Sequence, residues 1–543
     1  MKKLLLLALL GVGLMAKAQD LEQLDLKPPR VELSGSLTGG LRLFNSNRPN
    51  LYNNSDFGYI GIARINLKVG NFLLPFSYRL GDQLNLPNIP AFRYWGLSPR
   101  YKGLTLHLGY RSNRFSRNTL ENIQQYGLGL EWQVKDFNFK VSKGILNRDR
   151  IGRVIFNTTI TPLRERPYIA AAAAYKKGYN ELTVAVLSAK EAANSTDTIA
   201  VKNRVVEIVA GKSLGKKIRT KISVAGSYTE RDRAPLFSFF EDKDWLVQTG
   251  NFLGGQPNLT TKTGLLLDAS AGYHAKRFIL AASIRQVDAG FETFGRNFQL
   301  NDLRAYTLKT GIHLLKHKLI FNASVGIEEN NIRELRANQS ERFITNANLS
   351  YRASSGASLQ LNLSNFNLEK ANEFVVGRDS FNFSYQSLNI ALTSFIPAGQ
   401  SQISTSINYV RNSNDQPGNT FVSTGFYYGQ INFNHANHER TWQWQISLHS
   451  YYTSTGEIDI TSVGGNIGCS GKVWQEKLQL DIRYVPNRRL SDTELEWTHL
   501  LHGDISYQTS PKSKIFLQHY TQIIQQPDTI HENQTRLGFQ FNF

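Results

Sequence analysis

One cysteine, Cys469, stands in 543 residues, so no intrachain disulfide can form and the fold must hold without one. Methionine is nearly absent, with two in the chain, and beyond the first residues no apolar run approaches the ~20 that a membrane-spanning helix needs. Mean hydropathy is negative. Such a chain can enter a bilayer only as strands. Acidic residues are the scarcer sign, 43 against 62 lysines and arginines, for a net charge of +19. Catalytic groupings are missing too. His435 and His438, and again His499 and His502, lie three apart, which in a strand points them to opposite faces, so a shared metal is not expected. No Ser, His and carboxylate can be placed together, and the pairs Gly254-Gly255 and Gly464-Gly465 open no helix as a phosphate loop would. No enzymatic activity and no cofactor are therefore expected.

What is present begins with an export address. Residues 1–20 read MKKLLLLALLGVGLMAKAQD: Lys2 and Lys3, an apolar stretch from Leu4 to Met15, then Ala16-Lys17-Ala18 as a small-residue cleavage site. Residues 1–18 are expected to be a signal peptide, 19–30 a short periplasmic segment and 31–543 one barrel. A positive surplus of this size usually suggests nucleic acid, but export makes nucleic acid an unsuitable partner.

From Val31 onward apolar and polar residues alternate. In VELSGSLTGGLRLF the apolar Val31, Leu33, Leu37, Leu41 and Leu43 share one face, and in FGYIGIARINLKV so do Phe57, Tyr59, Ala63, Ile65, Leu67 and Val69. LTLHLGY, YGLGLEW, KIRTKISVAGSY, LIFNASVGI and LQLDIRY repeat the pattern. Each run covers roughly ten residues, the length of a tilted strand crossing a bilayer. The links alternate as well: tight ones such as Gly70-Asn71, Lys102-Gly103, Lys135-Asp136 and Pro511-Lys512, and long polar ones such as Asn147 to Pro167 and Glu230 to Thr261. Short periplasmic turns and long extracellular loops mark an outer-membrane barrel. The expected fold is thus all-β: a single large antiparallel transmembrane β-barrel of about 26 strands, or about 24 where alternation weakens around Phe92 to Trp95 and Phe421 to Asn432.

The chain ends TRLGFQFNF, with Leu537, Phe539, Phe541 and Phe543 on one face. This closing strand must pair with the first strand, because an open edge cannot sit in hydrocarbon. Its aromatic end resembles the signal by which bacterial outer-membrane barrels are handed to the assembly machinery. Gln19 after the cleavage site and the Asn- and Tyr-rich strands are similar to Bacteroidota-type barrels, and FRYWGLSPRYKGLTLHLGYRSNRFSRNTL, Phe92 to Leu120, resembles a segment of a poorly characterised group of them. The resemblance implies outer-membrane lipid and the barrel assembly machinery as partners. It brings no substrate with it.

A barrel of this size has a radius of about 25 Å, wide enough to leak if left empty. Gln19 to Arg30 is too short for the N-terminal plug domain of a TonB-dependent transporter. Such a barrel is expected to be flattened, or to be closed by loops folding inward or by a plug or secretion partner protein. The candidate loop is TERDRAPLFSFFEDKDWLVQTGNFLGGQPNLT, where Phe237, Phe239, Phe240 and Trp245 make it more apolar than a solvated loop needs to be. Strand parity puts Arg42, Arg64, Lys68, Arg79, Arg111, Lys140, Arg219, Lys221, Arg285, Lys309, Arg342, Arg352 and Arg483 on the lumen wall, with fewer acids among them. Basic rings favour anions, while cross-strand ladders of paired charges would produce the same pattern. The functional expectation is an outer-membrane channel or transporter for polar or anionic solutes or larger cargo, gated by inward loops or a partner. The alternative is a barrel scaffold in a secretion or surface-assembly complex.

Overall fold

The computed structural model describes residues 31–543 apart from 48–56, 82–91, 122, 147–153, 156–157, 160–164, 192–200, 232–260, 297–300, 333–337, 354–355, 373–380, 399–400, 416–423, 438–441, 456–458, 492–493 and 527–528. The barrel strands run in an antiparallel meander in which each bonds to the next, and the last closes on the first; the short pair Val154–Ile155 and Thr158–Thr159 stands apart in the link between Phe137–Leu146 and Arg166–Lys177. Counting Phe92–Leu97 and Arg100–Tyr101 as one strand interrupted at Ser98-Pro99, the barrel has 26 strands, as the alternation predicted. Proline has no N–H to give the ladder, so the strand breaks there. The break explains the weak pattern around Phe92. The other weak segment forms the regular strand Thr424–Asn437.

Closure is carried by the C-terminal strand, as its alternation predicted. Val31–Ser46 pairs with Ile530–Asn542 in a register that sets Leu37 against Phe541, Gly39 against Phe539 and Leu41 against Leu537. The Phe543 carbonyl accepts from Gly35 N–H at 3.0 Å, and Phe543 N–H donates back to the Gly35 carbonyl at 3.1 Å. A Cβ at Gly39 would strike the Phe539 ring, so glycine there lets the closing aromatic lie flat across the seam. Leu537, Phe539 and Phe541 are all exposed on the outer face.

The outer face has the chemistry of a lipid contact. Leu128, Leu130, Val184, Ile208, Leu448 and Ile482 are exposed in the middle of strands where a soluble protein would bury them. Rings gather toward the tight-turn end, with Trp132 6.0 Å from Phe139, Phe137 5.1 Å from Tyr175 and Trp474 6.1 Å from Tyr507. Toward the other end Tyr427 and Tyr452 pair at 6.0 Å. Aromatic belts at both edges of an apolar band are the mark of a barrel seated in a bilayer. No helix among the described residues is long and apolar enough to cross a membrane.

Turn chemistry separates the two ends. At the tight end Gly70 and Gly178 adopt left-handed φ values of 58° and 63°, the geometry that two-residue hairpins require, and Lys102 and Lys135 adopt it at 51° each; Gly215 does so at 68° in the three-residue link between Leu214 and Ile218. The links at the opposite end are long early in the chain. They shrink to three or four residues after Thr455, Ser491 and Gln525.

Candidate functional site

One residue pair shows how the wall is divided. Ile208 is 49% exposed on the outer face, while Glu207 beside it in the strand Lys202–Leu214 is fully buried. Lipid cannot cover Glu207, because its side chain points the other way. Protein on the lumen side does.

The covering comes from two link segments. The first, Asn113 to Ile123, follows the strand Leu104–Ser112 and turns back on itself through a bond from Phe115 N–H to the Leu120 carbonyl at 3.0 Å. Its tip reaches Glu207. One carboxylate oxygen accepts from Asn118 N–H at 2.9 Å and from the Ser116 hydroxyl; the other accepts from Asn118 Nδ2 at 2.8 Å and the Ser223 hydroxyl at 2.7 Å. Glu207 makes no ion pair among the described residues, so these four donors compensate its burial. The second segment, Asp288 to Arg296, follows Phe278–Val287 and is held by Asn203, whose Oδ1 accepts from Phe294 N–H at 3.0 Å while its Nδ2 donates to the Glu292 carbonyl at 2.8 Å.

The two segments also grip each other. Glu121 N–H donates to the Gly295 carbonyl at 2.9 Å, and the Thr293 hydroxyl donates to the Thr119 carbonyl at 3.1 Å. A Cβ at Gly295 would collide with the Thr119 carbonyl, so this crossing requires glycine. Beneath them lies a packed apolar core: Phe115, Leu120, Ile123, Phe291 and Phe294 from the segments meet Ala170, Ala172, Ala185, Leu187, Val205 and Leu266 from the wall. Small wall residues explain the depth of the insertion. The run RPYIAAAAAYKK presents Ala170 and Ala172 inward, and Gly264 gives room to the Phe291 backbone that any Cβ would strike.

What the insert offers to the lumen is mostly arginine. Arg117 at its tip and Arg285 on the wall share Asp268, at 2.9 and 3.3 Å. Arg114 and Arg296 flank Glu121 at 3.1 and 3.9 Å. Behind them Arg166 pairs with Glu191 at 2.7 Å with its guanidinium 4.1 Å from the centre of the Phe294 ring, and Arg231 pairs with Glu292 at 3.0 Å. Arg114 and Arg117 remain more than half exposed despite their partners. Four arginines around two carboxylates leave a net positive field at the insert's surface, in a setting where low-dielectric walls concentrate it.

The basic residues expected on the lumen wall all lie on the face opposite the apolar rows, in varied settings. Arg285 joins the insert. Arg42 is buried near the seam, Arg79 lies on the third strand, and Arg111 packs over Gly129, where a Cβ would strike its guanidinium. Lys68 pairs with Glu32 at 3.1 Å, Lys140 with Glu131 at 3.1 Å, Arg342 with Glu328 at 3.0 Å, Arg483 with Asp481 at 2.9 Å, and Lys221 with Glu181. The Arg219 guanidinium lies 3.5 Å from the centre of the Tyr179 ring. Arg64 and Lys309 are exposed without an ion-pair partner among the described residues, and Arg352 stands exposed beside the turn at residue 353. Phe237, Phe239, Phe240 and Trp245 lie outside the described residues, as does His438. No cluster of three or more metal-ligating side chains occurs among the described residues.

The longest link, the candidate from sequence, lies outside the described residues at 232–260; Asn113 to Ile123 and Asp288 to Arg296 were not singled out from sequence. Both carried a signal. NRFSRNTLENI and GFETFG place Phe115, Leu120, Ile123, Phe291 and Phe294 in links, more apolar than a solvated link needs to be.

Closed, apolar outside and polar within, the molecule is a β-barrel of the bacterial outer membrane. No family model matches the chain, and no curated protein matches it by sequence. Among solved structures it is similar to Pseudomonas aeruginosa OccK3 (OpdO), at 14% identity and a TM-score of 0.34, over 66% of this chain and 94% of that one. It is similar to the translocation pore of the P pilus usher PapC, at 10% identity and a TM-score of 0.35, over 95% and 99%. It is similar also to a chain of the Escherichia coli P pilus tip assembly intermediate PapC-PapD-PapK-PapG, at 10% identity and a TM-score of 0.44, over 96% of this chain and 62% of that one. At these identities the likeness is one of barrel architecture.

Proposed function

We propose that this protein is an outer-membrane channel for polar and anionic solutes, narrowed by its own inward segments. The observation that carries this reading is the insert: two links locked onto the inner wall through Glu207 and Asn203, presenting Arg114, Arg117, Arg285 and Arg296 to the lumen. A cation cluster at a constriction raises the local concentration of anions and lowers that of cations. On this reading residues 1–18 are removed on export, the aromatic C-terminus is recognised by the barrel assembly machinery, and the chain is one of the Bacteroidota-type barrels that Phe92 to Leu120 resembles.

The test is single-channel conductance of the refolded protein in a planar bilayer under a salt gradient. The expected result is a conducting pore whose reversal potential shows anion preference, with that preference reduced or inverted in an Arg114→Glu/Arg117→Glu variant. A folded protein that stays silent would instead support the scaffold reading, in which a partner protein occupies the lumen.

A further inference from the structure

The inner wall of four consecutive strands, Phe381–Ala398, Ser401–Asp415, Thr424–Asn437 and Trp442–Thr455, carries no Asp, Glu, Lys or Arg at any described inward position. Its register sets Asn389 beside Val410 and Tyr428, and Asn408 beside Gln430 and His449, in rows that cross the wall. The amides are held in place by a neighbouring amide and by serines: Gln430 Nε2 donates to Asn432 Oδ1 at 2.7 Å, Asn432 Nδ2 to the Ser406 hydroxyl at 2.8 Å, and Asn434 Nδ2 to the Ser404 hydroxyl at 3.3 Å. This ordering leaves the side-chain carbonyl oxygens of Gln430 and Asn434 without a protein partner among the described residues. Toward the long-link end two inward tyrosines, Tyr428 and Tyr451, stand opposite each other in register, and the His449 ring lies 6.4 Å from that of Tyr428. On the other side the amide surface continues into a concavity of about 480 Å³ that includes Asn322, Asn346, Asn348 and Asn362 in its lining, with Lys309 as its one charged residue.

From this we infer that the uncharged wall is a binding track for a neutral polyhydroxylated chain, an oligosaccharide. Amides and hydroxyls each offer donors and acceptors together, as sugar hydroxyls do, whereas a charged wall would hold ions and their water instead. Same-face side chains repeat at roughly 7 Å along a strand and roughly 5 Å across strands, a rigid grid that can hold successive sugar units without reordering. Tyrosine adds a flat apolar face with a polar tip, suited to the alternation of C–H faces and hydroxyl rims on a sugar ring. A peptide or anionic polymer would find no counter-charge here. The inference deepens the channel reading by naming a cargo class for one side of the lumen.

The experiment is calorimetric titration of the detergent-solubilised full-length protein with a panel of neutral oligosaccharides (maltoheptaose, isomaltoheptaose, cellohexaose and chitohexaose), with heptaglutamate as the anionic control. At least one neutral sugar is expected to bind. Its affinity should fall at least tenfold in Tyr428→Ala/Tyr451→Ala and in Asn432→Leu, and stay unchanged in Arg64→Glu on the charged wall. Heat-modifiable migration on gels reports whether each variant has folded, and Tyr428→Phe serves as a milder change that keeps the ring. No binding by any neutral sugar, or binding lost equally in Arg64→Glu, overturns the inference. Conductance measured on the same preparation separates the two proposals. A conducting pore that binds no sugar leaves the channel reading standing without this track, and sugar binding to a silent barrel does the reverse.

Discussion

The walls from Leu104 to Leu314 and from Leu319 to Asn542 use the same strand, the same alternation and the same tight turns, yet their inner faces differ in kind. In the first, links fold inward and the inner face becomes a protein core: apart from Ile524, every buried apolar residue among those described lies between Phe115 and Leu303. In the second, the buried residues are mainly small hydroxyls such as Ser340, Ser447, Ser462 and Ser506, and amides face open space. The difference teaches that a barrel wall takes the character of whatever its links leave on it. The stretches that carry alanine and glycine inward are those on which a link can lie.

The largest way to break this contrast is to cut the latch. Glu207→Ala would strand two hydroxyls and two N–H donors, each costing about 1–3 kcal/mol when left unsatisfied in a buried site. The insert should come away while the barrel stays closed. Conductance is expected to rise several-fold, and trypsin should now cleave after Arg114 and Arg117 in a folded protein. Unchanged conductance with an intact, protease-resistant loop would refute the latch. Gly295→Val attacks the same insert from the crossing point and should raise conductance in the same direction by less, because a backbone shift can relieve part of the clash with Thr119.

Charge reversal sharpens the comparison further. Arg117→Glu, on the insert, should move the reversal potential more than Lys309→Glu, on the wall away from the insert, because on the channel reading the insert's arginines line the narrowest part of the lumen. Both effects should shrink between 0.1 and 1 M salt, where the screening length falls from ~10 to ~3 Å. Equal shifts from the two variants would mean that the insert does not set the selectivity. The smallest effect is expected at the seam: Phe541→Ala should lower the yield of assembled barrel in the outer membrane while leaving the conductance of each assembled molecule unchanged.

Much of this molecule was legible before any coordinates. Leu41, Leu128, Ile208 and Phe539 announce their face through simple alternation, since period 2 is imposed by the strand itself and lipid tolerates little that is polar. The strand count followed from the turns. The insert was harder to read. Phe115 and Phe294 hint at burial, but nothing local says that Asn118 meets a carboxylate 89 positions later, or that Asn203 receives a segment from beyond residue 287. Those contacts join links to strands that are distant in sequence, and Ala172 or Gly295 carry meaning only when something packs on them.

By itself, then, the sequence determined the closed barrel, the lipid-facing rows and the polar inner face, because each follows from a local period repeated against a uniform solvent. Only the tertiary structure decided which links turn inward, that Glu207 and Asn203 hold them, and that the charged and uncharged walls occupy separate sides. Those outcomes depend on which side chains meet across the lumen, and that is set by register and closure of the whole barrel, not by any one strand.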